Sequence, residues 1–520
     1  MPISQQGNVN TTSLIVPDLY VQIVPPQNLV LNGVPTNVVG VVGTATWGPV
    51  DEPAIVGTMA DYAQQFGSIV PRKCDMGTHV ATAVQQGATN FRCVRVTDGT
   101  DAAASVVVPG SNASFTAIYT GSLGNNITLI LGAGTQPNTW RLSVLLSGFE
   151  PEIYDGLVGN GAAFWTGLAA AVNSGLGPQR GPSLLIIASA GGTTASPAPF
   201  SLTLGASSAG SDGAAQVGSN QLVGADTPSR SGMHALRGQG CGLALLADCD
   251  DSTTWTTQAG FGLDEGIYMI LTTPAGDTIT NAVATMAGAG LDSYAAKLMF
   301  GDWLWWSDQV NNTIRLVSPQ GFAGGRLANL SPEQSSLNKQ IYGVIGSQRT
   351  GTPGSGQSTA YSAADLSALL GAGLDLICTP QPGGSYWGVR GGNNTSSNAA
   401  TDGDNYTRLT NYVAETLAAG MGKYVGQVIN IHLFQQIRST QLSFLNNMYG
   451  QGLLGSTDGS LPFSVICDTS NNPSSRTSLG YVQSDTQIQY QAINERFIVN
   501  VEGGQTVQVA RQTLPTGQVN

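Results

Sequence analysis

The chain is 520 residues long, has only 10% charged residues beside 68 glycines, and carries a formal net charge of −12. That length requires more than one hydrophobic core. With no run of Lys and Arg interleaved with aromatics, the acidic balance excludes a broad phosphate-binding face, so nucleic acid and anionic membrane are not expected partners.

A charged fraction this far below the globular norm of about 25% suits an exterior buried in an assembly, or equally a loop-rich β protein. Six cysteines, Cys74, Cys93, Cys241, Cys249, Cys378 and Cys467, are scattered without Cys-x-x-Cys spacing, several inside apolar runs. They read as free buried thiols made in a reducing compartment. No apolar run approaches the roughly 18 residues of a membrane span. No charged-then-apolar leader opens the chain, so the expectation is a protein that leaves its cell by lysis or within a particle.

Residues 1–13 are polar and read as loose. Leu14 to Val24 is strand-like, broken by Pro17 and ended by Pro25-Pro26, with Leu19, Tyr20, Val21 and Ile23 as its pairing residues. Two readings stand for this arm: an edge strand of its own domain, or a strand donated to a neighbouring subunit. Residues 31–98 then read strand, helix, helix, strand. Asn37 to Ala45 is a buried strand, Thr58-Met-Ala-Asp61 has capping-box form, Thr78 to Gln86 is a helix closed by Gly87, and Phe91 to Val96 is the next strand.

From 99 to 225 the texture shifts to Gly, Ser, Ala and Thr with short β runs (Ser114–Tyr119, Ile127–Leu131, Trp140–Leu146), one helix (Ala162–Asn173) and the strand Leu184–Ala188. This predicts an inserted, mostly β domain that faces outward. The α/β pattern resumes over 226–390. Gly242–Ala247 and Ile267–Thr272 are buried parallel-type strands, Asp277–Met286 a helix, Ser362-Ala-Ala-Asp365 a cap, and Leu374–Thr379 a further strand. Gly351–Thr359 and Gly391–Asp404 read as solvated loops.

Residues 391–485 form a C-terminal core. An amphipathic run from Thr407 places Leu409, Tyr412, Val413 and Leu417 at helical spacing, and Gly420 and Gly422 stop it. A second run, Ile431 to Tyr449, aligns Phe434, Ile437, Phe444 and Met448, with Arg438 at the edge of that face. Pro462-Phe-Ser-Val-Ile-Cys-Asp is a strand. Residues 486–520 form a terminal strand arm: Gln487 to Arg511 reads as two β runs joined at Glu502-Gly-Gly, with Phe497, Val499 and Val501 on one and Val507 and Val509 on the other.

No convergent chemistry emerges. His79, His234 and His432 lack metal spacing and read as structural. Asp248, Asp250 and Asp251 read as a strand-terminating turn ahead of a hard-cation site. Gly420-Met-Gly-Lys423 fails as a phosphate loop because Leu417 and Tyr424 occupy key positions. No Gly-x-Ser-x-Gly elbow occurs. Trp303, Trp305 and Trp306 read as packing residues ahead of a sugar platform. The sequence therefore assigns no catalytic residue, cofactor or metal.

Four short segments in order resemble contractile tail sheath proteins, the subunits of the contracting outer cylinder of myophage tails. They are Pro17-Asp-Leu-Tyr-Val-Gln, Val42-Gly-Thr-Ala-Thr-Trp-Gly-Pro-Val-Asp-Glu-Pro, Gly87-Ala-Thr-Asn-Phe-Arg-Cys-Val-Arg-Val, and the block from Trp387-Gly-Val-Arg through Gly450-Gln-Gly-Leu-Leu-Gly to Pro462-Phe-Ser-Val-Ile-Cys-Asp. The resemblance covers roughly residues 14–98 and 225–511, with Asp18 where the family usually has Gly. It implies an α+β multidomain fold: an α/β core built from N- and C-terminal parts, an inserted outer β domain, and terminal strand arms that interlock copies.

It further implies a homo-oligomer, a helical stack of hexameric rings, around an inner tail tube protein, with baseplate and tail terminator proteins as partners. The place would be a virion tail assembled in the host cytoplasm. The region from Lys423 to Arg438 would face the tube, and Lys423 and Arg438 would be its electrostatic contacts. A phage-tail-like bacteriocin or injection particle fits the same resemblance. Two rivals from other classes are an exported adhesin, which would carry a leader, and a glycan-active protein using the tryptophans with Asp248 to Asp251.

Overall fold

A computed structural model describes residues 31–357 and 359–501, together with the backbone of two short strands, Ile3–Gln6 and Tyr20–Ile23. At its centre is a seven-stranded sheet in the order Leu374–Asp375, Ala296–Met299, Tyr268–Thr272, Leu243–Leu246, Val39–Gly43, Phe91–Arg95, Pro53–Val56. All neighbours are parallel except the antiparallel edge strand Pro53–Val56. Val39 pairs with both Leu243 and Phe91, so segments 31–98 and 226–390 share one sheet. Parallel strands covered on both faces read as unbroken apolar runs, and Leu243–Leu246 and Tyr268–Thr272 are buried at every position.

Helices cover both faces. On one side Met76–Gln85 packs against Gln320–Ala328. The two approach so closely that a Cβ on Gly325 would lie 2.4 Å from Ala83 Cα, so only glycine fits there. On the other side Trp255–Glu265, Ile279–Ala289 and Ala363–Gly371 bury Trp255, Ala259, Phe261, Ala282, Met286 and Leu369. The capping boxes expected at Thr58 and Ser362 both form. Trp306, on the antiparallel strand Leu304–Asp308, is buried and its indole donates to Gln85 at 2.9 Å; Trp303 is buried and donates to the Thr273 carbonyl.

The chain leaves this body after Arg95 and returns near Gly213, where the Asp98 amide donates to the Gly213 carbonyl at 2.7 Å. Between them lie a four-stranded antiparallel sheet, a three-stranded one and the helix Gly161–Ser174 around a separate core that includes Phe115, Leu142, Tyr154, Phe164 and Trp165. Buried Arg95 ties this unit to the body, donating to the Gly48, Thr120 and Asp212 carbonyls.

The C-terminal part has two long helices, Asp404–Met421 and Ile431–Gly450, and a two-stranded sheet, Phe463–Ile466 with Asp485–Ile488. Leu409, Val413, Phe444, Met448, Phe463 and Val465 form its core with Leu31.

Three expectations need correction. Gly391–Asp404 is solvated only in part: 397–400 are exposed, but its two ends are not. Asn394 and Thr395 are buried, and the Asn394 amide donates to Thr401 O, Gly403 O and Thr407 Oγ1. There the polarity serves internal hydrogen bonds rather than water. The first β run of the C-terminal arm is also shorter than expected: the strand ends at Ile488, and 489–501 carries no strand. A strand needs a partner edge, and among the described residues none pairs with 490–501, while the second expected run, to Arg511, lies outside them. Finally, the stretch 1–13 expected to be loose contains Ile3–Gln6, which pairs in parallel with Tyr20–Ile23.

Candidate assembly surface

The C-terminal helices are held to the central sheet by buried charge. Lys297 Nζ, with no exposed side-chain surface, lies 2.5 Å from Asp375 Oδ2 and 3.0 Å from Asp404 Oδ1, and it donates to the Asn393 carbonyl. Asp404 opens the first long helix and also accepts from Tyr268 Oη at 2.7 Å and from the Ser336 amide and hydroxyl. Asp375 accepts from the amides of Leu376, Gly391 and Gly392.

Burial pushes Asp404 up, but Lys297 and the hydrogen bonds from Ser336 and Tyr268 bring it below the usual carboxylate range. Burial pulls Lys297 down, and the two carboxylates outweigh it, leaving the ammonium above its ordinary value. Nearby Arg408 is buried and lowered by desolvation to about 10; it donates to the Leu330 and Ser331 carbonyls. Sequence reading missed this cluster. Its signal was a lysine inside an otherwise apolar strand, Ala296–Met299.

Beyond this anchor the surface changes character. Val425 and Val428 are exposed in the connection between the long helices, Ile431 at the start of the second, and Leu479 and Tyr481 in the approach to the last strand. Phe497, Ile498, Val499 and Val501 follow, with Phe497 81% and Val501 86% exposed. The two-stranded sheet of this C-terminal part has both outer edges unpaired among the described residues, and a two-stranded sheet alone is marginal in water.

Of the expected arm residues, Tyr20, Val21 and Ile23 lie on the strand paired with Ile3–Gln6, and Phe497, Val499 and Val501 on the exposed segment. Leu19, Val507 and Val509 lie outside the described residues. Lys423, on the turn Gly422–Tyr424, and Arg438, on the second long helix, are both exposed. They are the only charged side chains between Glu415 and Asp458 in a chain whose net charge is −12.

The other candidate groups separate. Asp248 pairs with buried His79 at 3.0 Å, Asp250 with Lys73, and Asp251 caps the turn Ser252–Thr254. Among the described residues, no group of three His, Cys, Asp or Glu is arranged to hold a metal. A cleft of about 780 Å³ lies between the helix Ala363–Gly371 and the polar segment 391–397, with Glu495 and Arg496 of the tail at its rim. No helix among the described residues is long and apolar enough to cross a membrane.

Among solved structures, the chain shares its fold with sheath tail proteins. Against the sheath tail protein of Desulfitobacterium hafniense the TM-score is 0.58 at 16% identity, over 86% of this chain and 93% of the other. Against that of Listeria innocua it is 0.58 at 14% identity, over 84% and 90%. The contracted sheath of the extracellular contractile injection system PVC gives 0.53 at 11% identity, over 94% and 97%. No family model and no curated protein sequence matches. The fold is thus that of contractile sheath subunits, as the short motifs implied.

Proposed function

We propose that this chain is the structural subunit of a contractile phage tail sheath. It would polymerise as a helical stack of hexameric rings around an inner tube and contract to drive that tube through a host envelope. The observation that carries this reading is the exposed apolar segment Phe497–Val501, in a region that also holds a two-stranded sheet whose outer edges are open among the described residues.

An exposed apolar segment that pairs with none of the described residues gains most by adding to another copy's sheet, and the N-terminal strand Tyr20–Ile23 is a second candidate donor. Because donor and receiver patches differ, such contacts are heterologous and propagate into rings and helices. Each backbone hydrogen bond contributes about 0.5–1.5 kcal/mol net. An arm making about six would keep copies tethered while their bodies rotate. Pro17, Pro25, Pro26, Gly503 and Gly504 are the hinge candidates, and all lie outside the described residues.

Contraction would follow from subunit contacts better satisfied in the contracted lattice, an interface with two stable arrangements. The role is mechanical and uses no nucleotide or cofactor. Lys423 and Arg438, isolated cations in an acidic chain, would face an acidic inner tube. Negative-stain microscopy of purified protein tests the proposal: striated cylinders are expected, and monodisperse particles at every concentration would refute it. The same fold serves tail-like injection particles, and genome packaging in the purified parent particle separates the two.

A further inference from the structure

The buried anchor has more chemistry than an ion pair needs. Period-two alternation puts Lys297 and Asp375 on one face of adjacent parallel strands, since Asp375 is in register with Met299. Nζ touches Asp375 Oδ2 at 2.5 Å, and both side chains are buried with almost no exposed surface. Asp375 Oδ1 already accepts from the Leu376 amide at 2.8 Å and the Gly391 amide at 2.7 Å, the donor pair that a developing oxyanion requires. A second carboxylate, Asp404, stands 3.0 Å from the same nitrogen, held by Tyr268 and Ser336.

We propose that Lys297 and Asp375 condense to an intramolecular isopeptide bond, with Asp404 as the proton carrier. Asp404 relays a proton from Nζ to Asp375 Oδ2, and the freed amine attacks Cγ of the now neutral acid. The negative charge collects on Oδ1 between the Leu376 and Gly391 amides. A second Nζ proton then passes through Asp404 to Oδ2, the Cγ–Oδ2 bond breaks, and water leaves. The sum is ammonium plus carboxylate giving amide plus water, with no redox partner.

The driving force is electrostatic. Condensation removes one buried cation and one buried anion, whose desolvation is costly. The remaining Asp404 anion keeps Arg408 nearby and its hydrogen bonds from Tyr268 and Ser336. Orientation supplies the rate, as in other intramolecular reactions of well-placed groups. The product would staple the sheet at its outermost strand, Leu374–Asp375, which has only two paired residues, a weak point for a subunit under mechanical load.

Intact mass spectrometry of the full-length protein, denatured, followed by tandem sequencing of a digest, tests this directly. The expected result is a chain lighter by one water, with a branched peptide joining the segments around Lys297 and Asp375. An Asp404→Asn variant, shown to be folded by circular dichroism, should retain the water. Wild-type protein yielding an unmodified Lys297 peptide overturns the proposal. So does water lost without that branched peptide, as cyclisation at an Asp-Gly step would give.

Discussion

The central sheet and the C-terminal region after residue 422 solve opposite problems. The sheet buries nearly everything apolar it carries: Leu243–Leu246, Tyr268–Thr272 and Ala296–Met299 are buried at every position. The region from 425 to 501 holds more than half of the exposed large apolar side chains among the described residues. Between them sits the Lys297–Asp375–Asp404 anchor. The contrast teaches that the first region buries its apolar surface within one chain, while the second carries apolar surface that none of the described residues covers.

Variants should separate the two regions. Lys297→Ala strands two buried carboxylates and should cost about 3–5 kcal/mol or more in denaturant unfolding; a loss below ~1 kcal/mol would show that the anchor is solvated. Leu245→Ala, at a fully buried sheet position, should cost about 2–5 kcal/mol by the same measurement.

The anchor also sets a pH signature. Asp404 is depressed in the fold, so its contribution is in place above the unfolded carboxyl value of about 3.9 and drains as pH falls through the lower folded value. Where Lys297 is still an ammonium it is raised, so its contribution is in place below about 10.4 and is lost as pH climbs through the folded value. Urea midpoints followed across pH should show the acid slope, which Asp404→Asn should flatten, and an alkaline slope only in protein whose Lys297 is still an amine.

At the other end of the scale, replacing Phe497, Val499 and Val501 together by Ser should move unfolding of the unassembled chain by no more than about 0.5 kcal/mol while abolishing cylinders in the microscope. Arg438→Glu should leave stability equally untouched and weaken only co-assembly with the tube. Unchanged co-assembly would remove Arg438 from that surface.

Most of the body was legible because parallel strands and capped helices announce themselves: Gly242–Ala247, the Thr58 and Ser362 boxes and the two long C-terminal helices all stand where periodicity places them. The inserted β unit was legible as a change in composition at Asp98. What escaped was long-range pairing of polar groups. The segment 391–404 looks like solvated linker because Asn, Thr, Ser and Gly satisfy buried hydrogen bonds with the same side chains that face water elsewhere. Lys297, Asp375 and Asp404 are too far apart in sequence for any local pattern to join them. The terminal β run after Ile488 was overextended because strand propensity states what a segment can pair with, not whether a partner edge lies in its own chain.

The central claim is that the apolar tail completes its pairing on another copy. A cryo-electron microscopy map of the assembled material, at a resolution that traces main chain, tests it most directly. The account predicts residues around Phe497–Val501 hydrogen-bonded as a strand against the sheet of a neighbouring subunit. The same residues folded onto their own body, with no strand passing between copies, would contradict it.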